Sequence, residues 1–289
     1  MNHISYKGPE IAEIINARLI SKDPESINVV DILIDSRRLI SAKSTLFFAL
    51  VSKKNDGHNY IEELYKKGIR YFVVSSYTND YDKLVDSSFF IVDDTHAALQ
   101  LLASNHRRRF NIPVVGITGS NGKTVIKEWL YQLLNPDKRI VRSPKSYNSQ
   151  IGVPLSVWAM TEKNNLGIFE AGISEPDEMQ NLQNVIQPTI GIFSNIGSAH
   201  GQNFISDIHK VKEKLKLFLR SKVLIYCKDH SAVNQSVSDF WQHTINDDTE
   251  KPEFFSWSEN VFADLKINSE FIPAEVASSP FFKVKFLSV

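Results

Sequence analysis

The chain has 289 residues, 42% of them hydrophobic and 23% charged, with Lys+Arg and Asp+Glu equal at 33 each. That length suits two domains of ordinary size with buried cores, and the neutral balance gives no reason to expect a nucleic-acid-binding surface. No apolar run approaches the ~20 residues that span a bilayer, so membrane insertion is not expected. Met1-Asn2-His3-Ile4 lacks a secretory-signal pattern, and the single cysteine, Cys227, allows no internal disulfide. A cytoplasmic protein is the expectation, with Cys227 an inert core thiol.

Residues 1–110 mix short helical and strand patterns. Residues 11–19 read as a helix, and residues 29–34, 45–51, 71–75 and 89–92 as strands. Residues 60–67 read as a helix stopped by Gly68. Thr95 reads as the cap of a helix over residues 96–109, whose terminal Arg107-Arg108-Arg109 suits the helix dipole. Asn111-Ile112-Pro113 marks a domain boundary. From there strands over residues 112–117, 140–142, 166–170, 189–194 and 223–227 alternate with helices over 125–134, 151–159, 176–185 and 208–219. Such alternation, with nearly continuous apolar strands, predicts an α/β fold whose mostly parallel sheet is covered on both faces.

Ligands in such sheets sit at the C-terminal ends of the strands. The first such end carries Gly116-Ile117-Thr118-Gly119-Ser120-Asn121-Gly122-Lys123-Thr124. A strand, a glycine-rich turn and a helix opening on Lys-Thr form a cradle for nucleotide phosphates. Backbone amides and the helix N-terminus face the anion, Lys adds charge, and the Thr hydroxyl reaches Mg²⁺. The spacing is a variant, because five residues rather than four separate Gly116 from the Gly122-Lys123 pair. ATP or GTP binding follows.

Other residues on the same rim have two readings each. Glu170 closes a strand and is placed to hold Mg²⁺, or is an ordinary surface carboxylate. His200 could ligate a metal or meet phosphate, or be merely solvated. Asn148 could serve a turn or present its amide to phosphate. Lys214 falls inside the stripe Val211, Leu215, Phe218, so it either snorkels or has a functional partner, whereas Lys210, Lys212 and Lys216 can point to solvent.

The stretches Thr118 to Thr124, Asn148-x-x-Ile151-Gly-Val-Pro154, Glu170-Ala-Gly172 and Asn195-Ile-Gly-Ser-Ala-His200 together resemble the Mur ligase family in order and spacing, and the loop variant is that family's own form. Asp35-Ser36-Arg37-Arg38, Leu46 to Leu50 and Asp56-Gly57-His58 resemble its UDP-binding domain. The segment Glu213 to Phe218 looks most like members fused to an alanine racemase. The resemblance implies a UDP-substrate-binding domain over residues 1–110 and an ATP-binding central domain over 111–289. It is closest to the branch that joins D-alanyl-D-alanine to a UDP-MurNAc-tripeptide: ATP activates the substrate carboxylate as an acyl phosphate, which the amine attacks.

On that resemblance Gly119, Ser120, Asn121, Gly122, Lys123, Thr124 and Asn148 would contact nucleotide. Lys123, Glu170, His200 and Lys214 would be catalytic, and Thr124, Glu170, His200 and a carbamylated Lys214 would hold Mg²⁺. Ser36 and Arg37 would lie near the uridine end of the substrate. Family members have three domains, so the central domain is expected to be incomplete and the C-terminal ligase domain absent, with weak nucleotide binding and poor ligation by the chain alone. Two alternatives are a folylpolyglutamate-synthase-like ligase, against which the region before residue 110 argues, and a non-catalytic fragment that binds a nucleotide or UDP-sugar.

Overall fold

A computed structural model describes residues 4–197, 203–244, 251–269 and 284–287. In chain order the elements are β1 (Tyr6–Lys7), α1 (Gly8–Ile14), β2 (Arg18–Ile20), β3 (Asn28–Val29), β4 (Asp31–Leu33), β5 (Thr45–Phe48), α2 (Ile61–Lys66), β6 (Tyr71–Val74), β7 (Ser88–Ile91) and α3 (Thr95–Arg108). There follow β8 (Val114–Thr118), α4 (Lys123–Leu134), β9 (Ile140–Arg142), α5 (Gly152–Trp158), β10 (Leu166–Glu170), α6 (Glu178–Ile186), β11 (Ile190–Phe193) and α7 (Asp207–Leu215). The last are β12 (Val223–Cys227), α8 (Ser231–Thr244), β13 (Glu253–Ser258), β14 (Leu265–Ser269) and β15 (Val284–Leu287). No helix among the described residues is long and apolar enough to cross a membrane.

The chain forms two compact units, Met1–Asn111 with Gln150–Lys163, and Ile112–Ser149 with Asn164–Val289. The first carries a five-stranded sheet in the order β2-β7-β6-β5-β4, parallel except for β2 against β7. Its strands alternate two cores. Leu46, Phe48, Val73 and Phe90 pack on one face with Leu99 and Leu102 of α3, while Phe47, Phe72, Val74 and Phe89 pack on the other with Ile61 and Leu64 of α2. A period of two with both faces apolar is what a sheet covered on both sides requires.

Several expectations change here. The helix predicted over residues 11–19 is α1, opened by Pro9 and followed by Asn16 in the left-handed region (φ 52), so the chain turns into β2. The predicted strand over 29–34 is split between β3, which pairs with β1, and β4, which pairs with β5. Asp94, not Thr95, caps α3: its Oδ1 accepts from His96 N and Ala97 N, while the Thr95 hydroxyl donates to the Ala49 carbonyl. The helix predicted over 151–159 is α5, which packs on α3 in the first unit, with the Trp158 indole against Tyr6 and His106. The arginine cluster is structural, as Arg107 is buried on the Phe110 carbonyl and Arg109 lies over the Tyr6 ring.

The second unit carries an eight-stranded sheet in the order β15-β14-β13-β12-β11-β8-β10-β9, parallel except for β15 against β14. Val115, Ile117, Leu166 and Ile168 meet Ile126, Leu130 and Leu134 of α4. After β8 the chain runs first to one side, through β9 and β10, and then to the other, from β11 onward. The strand order therefore reverses around β8, which makes the C-terminal ends of β10, β8 and β11 the place where open sheets of this kind take ligands.

Candidate functional site

Each strand end at that reversal carries polar groups. β8 ends on the buried Thr118, whose hydroxyl donates to the Ala171 carbonyl at 2.8 Å and ties β8 to the end of β10. The chain then turns through Gly119 (φ 143) and Gly122 (φ 79). A Cβ on Gly119 would lie 2.0 Å from Ser194 Oγ and 2.9 Å from the Asn195 carbonyl oxygen, so the turn needs glycine for space as well as for conformation.

The segment after β11 holds the loop. Ser120 N donates to the Asn195 carbonyl at 2.9 Å, Asn121 N to Asn195 Oδ1 at 2.9 Å, and Ser194 Oγ to the Asn121 carbonyl at 2.7 Å. α4 opens directly from Gly122 with no side-chain cap. Its first-turn amides have no intrahelical acceptor and carry the positive end of the helix dipole, an arrangement that suits an anion.

Lys123 Nζ donates to the Gly119 carbonyl at 2.8 Å and to the Ser120 carbonyl at 3.4 Å. Burial draws its pKa below the ordinary lysine value, opposed by Glu170 and reinforced by Lys210. Thr124 Oγ1 donates to Glu170 Oε2 at 2.9 Å, and Glu170 is fully buried. A hydroxyl and a carboxylate oxygen side by side under the glycine loop are the hard donors that suit Mg²⁺, which combines one or two such protein ligands with phosphate oxygens and water.

Glu170 Oε1 faces Lys127 Nζ at 2.9 Å, an ion pair between two side chains of 0% exposure that lacks hydrogen-bond geometry. Lys127 escaped the sequence reading. Its signal is the one that exposed Lys214, a lysine on an apolar helix face, here three residues before Leu130 and seven before Leu134. The Asn148 amide packs against the far side of β10's end. A Cβ on Gly172 would come within 3.1 Å of Asn148 Cγ, and Gly172 N donates to the Asn148 carbonyl at 2.8 Å.

Ser206 caps α7 by accepting from His209 N. Lys214 is buried among Val211, Leu215 and Phe218, and its Nζ donates to the Gly119 carbonyl at 3.4 Å. Burial first, then Lys123 and Lys210, push its pKa down to about 7. Lys210 departs from expectation: it is 1% exposed, and its Nζ donates to the Gly197 carbonyl at 2.7 Å. That carbonyl belongs to the segment after β11, which a helix's own pattern cannot reveal. Lys212 is exposed as expected, while Lys216 is half-buried and pairs with Glu213 and Asp177.

Lys123, Thr124, Asn148, Glu170 and Lys214 thus gather around the ends of β8 and β10, joined by Lys127 and Lys210. His200 lies outside the described residues. Ser36 and Arg37 belong to the first unit, where Arg37 forks onto Asp35 with two 2.8 Å bonds and keeps an exposed guanidinium. Cys227 is buried, and burial raises its thiol pKa, as expected of an inert core residue.

Residues 117–275 match the family model of the Mur ligase middle domain. The UDP-N-acetylmuramoyl-tripeptide--D-alanyl-D-alanine ligase of Bacillus subtilis (strain 168) is 29% identical over 236 residues, 79% of this chain and 50% of that protein. The ligase of the same name from Buchnera aphidicola subsp. Acyrthosiphon pisum is 31% identical over 215 residues, 74% of this chain and 45% of that protein. The chain spans about half the length of the curated relatives it matches. A MurF structure from Acinetobacter baumannii superposes with a TM-score of 0.82 at 20% identity, covering 94% of this chain and 57% of that one. MurF from Thermotoga maritima in complex with ADP gives 0.71 at 23% identity, covering 84% and 53%. At these identities the structural likeness establishes the fold.

Proposed function

Because the chain belongs to the Mur ligase family, we propose that it carries the nucleotide- and UDP-substrate-handling part of an ATP-dependent ligase. The reaction is the addition of D-alanyl-D-alanine to a UDP-MurNAc-tripeptide in the cytoplasm, for peptidoglycan synthesis. On this reading the first unit takes the UDP-linked substrate, with Ser36 and Arg37 toward its uridine end, and the second unit, Ile112–Ser149 with Asn164–Val289, takes ATP. The observation that carries the proposal is the Thr124–Glu170 oxygen pair beneath an uncapped α4, with the Lys123 and Lys214 ammonium groups on the Gly119 carbonyl.

A carboxylate is a poor electrophile, so it must gain a leaving group before an amine can displace it. Transfer of the γ-phosphoryl group supplies one, and the task left to the protein is positioning and charge neutralisation. The amides of the glycine loop and α4 orient the phosphates. Lys123 turns from its loop carbonyls to the phosphate oxygens and follows the charge as it moves. Thr124 and Glu170 would hold Mg²⁺, which would neutralise phosphate charge. Asn148 offers its amide from beside β10. Lys214, with its lowered pKa, is suited to the carbamate that the family resemblance implies.

The test is phosphate release from ATP measured with UDP-MurNAc-tripeptide and D-alanyl-D-alanine together and with each omitted. Release should require both and vanish in Lys123→Ala. Release that ignores either substrate, or that survives the substitution, overturns the assignment. Calorimetric titration with ADP and with the UDP-substrate reads the two binding functions independently of turnover.

A further inference from the structure

We propose that Lys127 is a positioning residue for the phosphate and metal site, fixing the Glu170 carboxylate in the one orientation that keeps Oε2 at the Thr124 hydroxyl. The inference rests on the reading of Glu170 as the metal-binding carboxylate. Lys127 is fully buried on the inner face of α4. A buried ammonium is tolerated only where charge and acceptors surround it, and here they come from several directions. Its Nζ donates to the Ser143 carbonyl at 2.8 Å and to the Lys145 carbonyl, and it faces Glu170 Oε1 at 2.9 Å and Glu128 Oε1 at 3.2 Å.

An ammonium has three N–H groups in a fixed tetrahedral array. Two are committed to main-chain carbonyls, so the backbone sets where the charge sits, and its hold on Glu170 is charge attraction at 2.9 Å rather than a directed hydrogen bond. Glu170 then has Oε1 on Lys127 and Oε2 on Thr124, and rotation of its carboxylate breaks one contact or the other. The Glu170 backbone is held as well, since its N–H donates to Ser143 Oγ at 3.2 Å. The same ammonium reaches the turn that leads to Asn148. Lys145 sits in the left-handed region (φ 51) with its carbonyl on Lys127, three residues before Asn148. One side chain therefore ties together α4, the end of β10 and the Asn148 turn.

Stability alone gives a weak reason for this pair, because two apolar side chains of the same volume fill such a space without desolvating two charges. Its place directly beneath the phosphate loop gives a better one: a carboxylate held ready loses less freedom when a cation arrives.

The test compares wild type, Glu170→Gln, Lys127→Met and the double variant by calorimetric titration with ADP, in Mg²⁺ and in EDTA. Glu170→Gln should abolish the strengthening that Mg²⁺ gives. Lys127→Met should weaken binding in Mg²⁺ by about tenfold while changing it less than about threefold in EDTA. The double variant should match Glu170→Gln, because Lys127 acts through Glu170. Full Mg²⁺ strengthening in Lys127→Met, equal losses in Mg²⁺ and EDTA, or additive losses in the double variant would each overturn the proposal. Mg²⁺ strengthening that persists in Glu170→Gln would instead remove the metal reading, and the proposal with it.

Lys127→Gln, which keeps a hydrogen-bond donor, serves the same comparison if the methionine variant does not fold. A crystal structure of either variant supplies a readout that needs no ligand. Glu170 Oε2 should leave hydrogen-bonding distance of Thr124, and an unmoved carboxylate would refute the positioning role.

Discussion

Thr124 and Glu170 join the first turn of α4 to the end of β10 through a single oxygen pair, Oγ1 donating to Oε2 at 2.9 Å. Removing the hydroxyl without changing the shape, as in Thr124→Val, leaves a buried carboxylate oxygen without its donor at a cost of about 1–3 kcal/mol. It also removes one hard oxygen from the proposed cation site. Nucleotide binding in Mg²⁺ should weaken by about ten- to a hundredfold, with a lower melting temperature, and Thr124→Ser should restore both. Calorimetry and thermal denaturation check the pair. Unchanged Mg²⁺-dependent binding in the valine variant would show that the hydroxyl has no part in it.

Gly119 offers a test of the loop itself. Alanine there must adopt φ 143 and place its Cβ 2.0 Å from Ser194 Oγ and within 3.0 Å of the Asn195 backbone. Trimming Ser194 to alanine relieves the first clash but not the second, because the Asn195 contacts are backbone. Gly119→Ala should therefore lose nucleotide binding and destabilise the chain by about 1–3 kcal/mol, and the double variant with Ser194→Ala should recover only part of the stability. Denaturant titrations of both variants measure this. Full recovery in the double variant would place the whole cost at Ser194.

The loop was legible because its chemistry is local: glycines, Lys123 and Thr124 follow one strand and open one helix, and a nine-residue window contains them all. Glu170 was legible because strand ends on one rim of a parallel sheet share a crevice. Lys214 showed itself as a cation in an apolar stripe. Lys127 carried the same signal but was masked by the stronger motif beside it, and Lys210 gave none, since its acceptor lies on the segment after β11. The membership of α5 was illegible for a related reason. Its Trp158 packs on Tyr6 and His106, contacts that no periodicity within the helix encodes.

His106 lies in that first-unit core and should make its stability depend on pH. The Met160 carbonyl can only accept, so Nε2 carries the proton at 3.0 Å and Nδ1 accepts from the Tyr6 hydroxyl at 2.7 Å. Protonation would set a second N–H against that hydroxyl in a buried site. Burial foremost holds the pKa at about 4 against an ordinary 6.5. The folded state therefore binds the proton less readily than the unfolded state. The contribution is fully present above pH 6.5 and is lost progressively as pH falls toward 4. At about 1.4 kcal/mol per unit it amounts to about 3 kcal/mol. Asp35 and Asp229, both lowered to about 2, act at lower pH and leave this window readable. Denaturant titrations across it should show a steep fall in wild type and a flatter one in His106→Gln. Equal slopes would assign the fall to other groups.

Lys214 makes the sharpest chemical prediction. It shares the Gly119 carbonyl with Lys123, and Lys210 lies close enough to lower its pKa as well. Three neighbouring ammonium groups favour loss of one charge, and burial selects Lys214, whose pKa falls to about 7. At about pH 8 roughly nine-tenths of it is then free amine, where an ordinary lysine has well under a hundredth. A free amine attacks CO₂: the N–C bond forms as one C–O π bond opens, one proton passes to solvent, and an anionic carbamate replaces the neutral amine. That anion would face the ammonium groups of Lys123 and Lys210. Carbon NMR with labelled bicarbonate should show a carbamate signal that grows between about pH 6 and pH 8. The signal should be absent in Lys214→Arg, whose guanidinium stays protonated. A signal that persists in the arginine variant would move the carbamate to another lysine, and no signal at all would leave Lys214 as a neutral amine donor to the loop.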